Sequence, residues 1–311
     1  MSSTVSLSAL SAYAGSHAFD VLDKLQTSSS VAQLGSYFEP KSRLADIFEP
    51  RLYCYEFDAS DLYGPSGNPS EQDIQQNSIG DCYFVATLGA IADQQPGRIK
   101  DAISYNSLTG TFSVKMYKPD GTAVTIPVTQ QDILDNKARS GGSKLDNGGG
   151  PIWPAVMETA YAKMNDGNWS DGLAQGYNKI GAGGFGRDGM MAVTGSSGTD
   201  LVPASVWFFP TSLKSDILFN QVSAALAQGK AVTLSTDPES GSAQDGLVDN
   251  HVYVVDRIYK DASGNVKVEL RNPWGTNVNA GEGTNTSSAT ITADLNTLIN
   301  THGLECFNVG P

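Results

Sequence analysis

The sequence predicts an α+β fold: a mainly helical first part, a mainly antiparallel sheet in the second, and a cleft between them. Apolar residues recur at helical spacing through residues 83–92 and again from Pro151 to about Met164. The second half changes character, with three strand-like runs at 231–236, 251–259 and 266–271 bounded by turn residues. Helices first and strands afterwards point to segregated packing, not to an alternating parallel sheet. The change falls near residues 196–205, so 41–199 reads as a helical lobe and 200–311 as a sheet lobe. Residues 1–40, rich in Ser and Ala with weak periodicity, read as a loosely packed extension or a pro-segment lying in the cleft.

Residues 43–55 look globular and 61–70 form a Gly/Pro/Ser/Asn loop. Gly80-Asp81 is a turn that gives way to a helix, with Asp81 a good N-cap type. A second short helical piece ends near 99–103. Strands at 111–117 and 122–128 follow, joined through Pro119-Asp120-Gly121. Residues 129–150 are polar and Gly-rich and read as a surface loop. The next helix, from Pro151, carries Trp153, Val156, Met157, Ala160, Tyr161 and Met164 on one face. Residues 172–198 are again Gly-rich and read as mostly irregular. An amphipathic helix at 215–228 stops at Gly229, and the three strands come after it, the last two joined through a turn at 260–265.

The 311 residues suffice for one large or two ordinary domains, and their net charge is -13. No Lys/Arg run exists to neutralise phosphates, which argues against nucleic-acid binding. Three cysteines, Cys54, Cys82 and Cys306, make no disulfide framework, although they leave room for one Cys54–Cys306 bridge. The absence of a CxxC pair, with only three histidines, argues against zinc. No apolar run approaches the length of a membrane span, and the N-terminus lacks the form of a secretory signal. A soluble monomer is expected, cytoplasmic or exported without a classical signal peptide.

The chemistry centres on Gln76-Asn77-Ser78-Ile79-Gly80-Asp81-Cys82. Cys82 opens a helix, where free N–H groups and the positive dipole end stabilise a thiolate, so its pKa is expected to fall. The Cys82 N–H and the Gln76 side-chain amide are placed to hold an oxyanion. A buried structural cysteine opening a core helix is the plain alternative. His251 opens a strand and Asn272 follows the next one. On neighbouring strands, the Asn272 oxygen can fix the imidazole tautomer and turn its other nitrogen toward Cys82. Trp274 would shield that bond from water. Cys, His, Asn in this order is the arrangement of papain-like cysteine hydrolases.

The chain resembles the protease core of the calpain family. Asp73-Ile74, Gln76 and Gly80-Asp81-Cys82-Tyr83 match the nucleophile motif, with Tyr83 where the family usually has Trp. Trp153, Met157, Glu158, Ala160, Tyr161, Ala162 and Lys163 match its helix motif, with Met157 in place of the usual Leu. Asn250-His251-Val252-Tyr253 matches the histidine segment less closely, and Arg271-Asn272-Pro273-Trp274-Gly275 matches outright. The resemblance covers roughly residues 70–276 and implies a papain-like, two-lobed cysteine endopeptidase acting on proteins or peptides. It makes Cys82 the nucleophile, His251 the general base and acid, Asn272 the orienting residue, Gln76 the oxyanion donor and Trp274 the shield.

Many animal calpains need calcium in the protease core. Asp73 matches one acidic ligand position, but Met191 and Val278 stand where the family has carboxylates. Neither side chain can replace a carboxylate toward a hard cation. No cofactor is therefore expected, and calcium dependence is doubted. Gly183-Gly184-Phe185-Gly186-Arg187-Asp188 fits one calcium-binding β-roll repeat, an architecture that needs several stacked copies. A transglutaminase-like acyl transfer and a non-catalytic interaction module retaining the fold are the rival readings.

Overall fold

A computed structural model describes residues 55–167, 173–203, 210–238, 245–278 and 284–311. The 1–40 extension and Cys54 lie outside them. Helix α1 (Cys82–Gln94) is buried at every position from Tyr83 to Ala92, which is why its sequence is apolar on all faces. Pro96 starts α2 (Pro96–Ala102), and Gln95 between them bonds back to the Ile91 carbonyl. The chain then forms an antiparallel sheet of β1 (Ile103–Asn106), β2 (Thr111–Tyr117) and β3 (Ala123–Val128). The predicted hairpin is β2–β3, and β1 joins it at Ile103, where the second helical piece had been expected to end.

Two Gly-rich stretches are more regular than their composition suggests. Within 129–150 lies α3 (Gln130–Ala138), started by a reciprocal cap between Thr129 and Asp132. Only Ile133 and Asn136 of α3 are buried, so the sequence carries almost no apolar stripe. After α4 (Trp153–Asp166), residues 172–198 hold α5 (Ala174–Ile180) and α6 (Gly186–Thr194). The glycines there serve close packing. A Cβ on Gly176 would lie 2.3 Å from the Ala162 carbonyl oxygen of α4, so α5 can approach only without one.

The remainder builds one six-stranded antiparallel sheet in the order β4-β9-β5-β6-β7-β8. Its strands are β4 (Thr199–Leu201), β5 (Val232–Thr236), β6 (Val252–Lys260), β7 (Val266–Arg271), β8 (Thr290–Asp294) and β9 (Leu304–Val309). Helices α7 (Thr211–Ala227) and α8 (Leu295–Thr301) pack against it. Leu218, Val222, Leu234, Val268, Leu298 and Phe307 lie in this sheet's own core. A separate core joins α1, α4 and the small sheet, and it takes in Val252 and Val254 from β6. Strand β6 thus belongs to both cores, because its two faces point to opposite sides. Cys306, on β9, is a buried thiol, and Cys54, the partner the sequence left open for it, lies outside the described residues.

A register shift between Val255 and Arg257 marks a bulge in β6 at Asp256. The Asp256 carboxyl lies within hydrogen-bonding reach of Glu71, itself buried in the 3-10 turn Glu71–Asp73. Burial pushes Asp256 up to about 8, the Glu71 charge and hydrogen bond and then Asp93 add to the shift, and Arg271 opposes it. The folded chain therefore keeps a proton that an unfolded Asp, with its ordinary value of 3.8, has already released. Stability from this site is full below about pH 4 and is lost as pH rises toward 8. The slope is at most about 1.4 kcal/mol per pH unit. Asp256→Asn is expected to flatten it, as read by urea unfolding at pH 5 and pH 8.5. Parallel slopes in the two proteins would sink the assignment.

Candidate active site

Cys82 is the first residue of α1, and its helix is held at both ends by close approaches that need glycine. A Cβ on Gly80 would lie 2.6 Å from the Gly181 carbonyl oxygen, and one on Gly89 would lie 2.9 Å from Val254 Cγ2. Through Gly89, α1 lies tightly on β6. The Cys82 sulfur accordingly faces the backbone N–H of Val252, next in sequence to His251. The thiol is half-buried and free.

His251 is buried just before β6, after Asn250 in a left-handed conformation (φ 50). Its backbone is clamped by Thr236, whose Oγ1 accepts from the His251 N–H at 3.0 Å and whose N–H donates to its carbonyl at 2.9 Å. The ring Nε2 meets Asn272 Oδ1 at 3.0 Å. Because that oxygen only accepts, Nε2 carries the proton and Nδ1 is left as the basic nitrogen. Asn272 is fully buried and fixed by its own set of bonds. Its Oδ1 also accepts from the Trp274 N–H at 3.1 Å, and its Nδ2 donates to Asn277 Oδ1 at 3.1 Å. Asn277 donates in turn to the Ser288 and Ala289 carbonyls, each at 2.9 Å. The Trp274 ring stands 4.9 Å from the imidazole at 50°, covering the His251–Asn272 pair.

Asn277 was not found from the sequence. Its only signal was its place five residues after Asn272, in a polar turn that reads as a loop.

Gln76 is buried beside the nucleophile turn, and its backbone N–H donates to the Pro273 carbonyl at 2.8 Å. That bond ties the segment leading to Cys82 to the loop carrying Asn272 and Trp274. The Gln76 Nε2 donates to the Ile79 carbonyl at 2.7 Å, which uses one of its two N–H groups. Asp81 occupies the N-cap position but makes no side-chain cap bond. Its carboxyl turns inward toward Glu158 of α4 instead.

The structure corrects the expected thiolate. Burial pushes the Cys82 thiol up to about 11, with the Asp81 charge adding, while the amides of Val252, Tyr83 and Cys82 pull it down. Desolvation outweighs the helix terminus here. Burial likewise pulls His251 down to about 4, against the Asn272 hydrogen bond. No hydrogen bond joins Cys82 to His251, so thiol and imidazole are both neutral in this geometry.

At the three positions where the resemblance implies calcium ligands, the side chains serve otherwise or lack a hard donor. Asp73 Oδ2 accepts from the Ser70 N–H at 2.9 Å and the Trp153 Nε1–H at 2.7 Å, a structural capping role. Met191 offers only a thioether, and Val278 is an exposed aliphatic side chain. Among the described residues no three His, Cys, Asp or Glu side chains group as metal ligands. These residues do not fit a calcium ion. The glycine-rich 183–188 segment starts α6, with Asp188 Oδ2 accepting from the Phe185 N–H at 3.0 Å. Among the described residues no helix is long and apolar enough to cross a membrane.

The family model described as calpain family cysteine protease matches residues 56–293. The calpain-type cysteine protease ADL1 of Oryza sativa subsp. japonica is 24% identical over 221 residues, which are 68% of this chain and 9% of that protein. Calpain-13 of Rattus norvegicus is 28% identical over 222 residues, 66% of this chain and 29% of its own. The calpain-2 catalytic subunit of Mus musculus is 24% identical over 263 residues, 81% of this chain and 34% of its own. The chain thus spans from under a tenth to about a third of the length of these curated relatives.

Proposed function

Because this chain belongs to the calpain family of cysteine proteases, we propose that it is a papain-like, two-lobed endopeptidase working through Cys82, His251 and Asn272 without calcium. The two lobes are residues 41–199 and 200–311, and the substrate lies between α1 and the start of β6. The observation that carries this reading is the His251 Nε2 to Asn272 Oδ1 bond beside an α1 whose first residue is Cys82. That bond leaves Nδ1 for the thiol, which is what nucleophilic activation requires.

The reaction begins when Cys82 and His251 meet and the thiol proton passes to Nδ1. The thiolate attacks the peptide carbonyl, and the Cys82 N–H and the Gln76 side-chain amide hold the oxyanion. The imidazolium gives its proton to the leaving amine as the C–N bond breaks. Neutral His251 then takes a proton from water, which hydrolyses the thioester and frees Cys82. Asn272 keeps the imidazole oriented through both steps, and Trp274 keeps water from competing for Asn272 Oδ1.

The poor fit of Asp73, Met191 and Val278 to a hard cation supports closure without metal. Casein cleavage by the purified chain is the test, run in EDTA and in millimolar calcium, with and without iodoacetamide. Equal rates with EDTA and calcium, both lost after alkylation, are expected. Cleavage only with calcium would overturn the metal-free reading. Cross-linking of an added primary amine in place of hydrolysis would overturn the peptidase in favour of acyl transfer.

A further inference from the structure

Next to Cys82 two buried carboxyls face one another. Asp81 and Glu158 are both fully buried, and their side chains lie within hydrogen-bonding reach. Their partners are unequal. Glu158 Oε2 accepts from Asn136 Nδ2 and from the Gly142 N–H, each at 2.7 Å. Asp81 Oδ1, Asp81 Oδ2 and Glu158 Oε1 make no close, well-aligned hydrogen bond to a donor, although the Gln76 side chain lies within reach of Asp81. Two carboxylates so buried and so close cannot both stay ionised, and a buried carboxylate with too few donors is costly unless a further donor is found. One proton between them supplies that donor.

We propose that Asp81 and Glu158 share one proton, that Asp81 carries it and donates to Glu158 Oε1, and that the pair is a positioning device holding negative charge away from the Cys82 sulfur. The two N–H donors on Oε2 make Glu158 the better place for the remaining charge. Neutral Asp81 then lies between Gln76 and Cys82 without opposing either the thiolate or the oxyanion. Were the charge on Asp81 instead, it would raise the thiol further, the direction in which Asp81 already acts on it. Burial is the largest influence holding both carboxyls above their usual range, and for Asp81 the nearness of Glu158 comes next. The other titratable groups around the pair are Asp146, Tyr177, Arg139 stacked on Tyr177, Tyr83, Tyr161 and Asp188. Arg139 is the cation among them, and its guanidinium stacks over the Tyr177 ring. The inference rests on the reading of Cys82 as nucleophile.

Two isosteric variants separate charge from structure. In Asp81→Asn the new amide N–H donates to the Glu158 carboxylate, so the charge stays at Glu158. In Glu158→Gln the amide donates to an Asp81 carboxylate, so the charge moves next to Cys82. Each pair keeps one negative charge and one hydrogen bond. The Cys82 pKa, read from the pH dependence of iodoacetamide alkylation, is expected to be about one unit higher in Glu158→Gln than in Asp81→Asn. Alkylation at pH 7 is then about tenfold slower in Glu158→Gln, and kcat/KM for casein differs by a similar factor with KM alike. Equal values, or the reverse order, would overturn the proposal, since packing damage alone does not choose a sign. Infrared spectra of the unaltered chain at pH 7 need no folded Glu158 variant. They are expected to contain a protonated-carboxyl band to which Asp256 also contributes. The difference spectrum between the unaltered chain and Asp81→Asn is expected to show the Asp81 part lost, and a difference spectrum without that loss would refute the shared proton. Should casein resist every form, the peptidase reading fails, while alkylation and infrared still decide this one.

Discussion

Replacing Cys82 by alanine is expected to lower kcat/KM for casein by about 10^4-fold or more and to leave the fold intact. The sulfur is half-buried at the first position of α1, and its surroundings include backbone amides that water can serve when it is gone. Little stability is therefore at stake. What disappears is the covalent route through the proposed nucleophile. His251→Ala is expected to fall to the same floor, and the double variant no lower. Nucleophile and base act as a unit, so their losses do not add. Steady-state kinetics on the three proteins, with circular dichroism and urea midpoints beside them, is the measurement. A double variant much slower than either single one would mean that the residues act in separate steps. Full activity in Cys82→Ala would place the nucleophile elsewhere. Asn272 is a poorer probe, since it is fully buried and anchors Trp274 and Asn277 as well as His251.

The parts of this site that could be read from sequence are those whose chemistry is local. Cys82 follows a Gly-Asp turn and opens an apolar helix, so its helical start is written in adjacent residues. His251 and Asn272 flank strand-like runs, and antiparallel neighbours β6 and β7 bring their ends together. The thiol pKa was not legible, because it depends on how much of α1 is covered by β6, and a helix-terminus argument contains no burial term. Asp81 illustrates the same limit. As an N-cap type it suits the turn, yet its carboxyl is taken by Glu158, 77 positions away. Helices α3, α5 and α6 escaped for a different reason. Helix α3 buries only Ile133 and Asn136, and α5 and α6 are interrupted by glycines, of which Gly176 lets its backbone approach Ala162. Composition reported loop where tertiary packing selects helix.

Trp153→Ala is expected to destabilise the chain by about 3–5 kcal/mol, among the largest single effects available outside the chemistry. The ring is fully buried in the core that joins α1, α4 and the small sheet, so its loss leaves a cavity that rigid neighbours cannot fill. A second cost is polar. Trp153 Nε1 donates to Asp73 Oδ2 at 2.7 Å, and without it that oxygen keeps only the Ser70 N–H. Trp153→Phe separates the two terms: most of the volume stays and the donor goes, so about 1–2 kcal/mol is expected. Urea midpoints measure both, and for a chain of this size the alanine variant should melt about 5–8 °C lower. A Phe variant as unstable as Ala would mean that the Asp73 bond, not the ring, holds α4 in place. Asp73 would then matter to this protein as an acceptor for tryptophan. It lies three residues before Gln76, whose backbone N–H donates to the Pro273 carbonyl, so the bond at Trp153 also bears on the position of the proposed oxyanion donor.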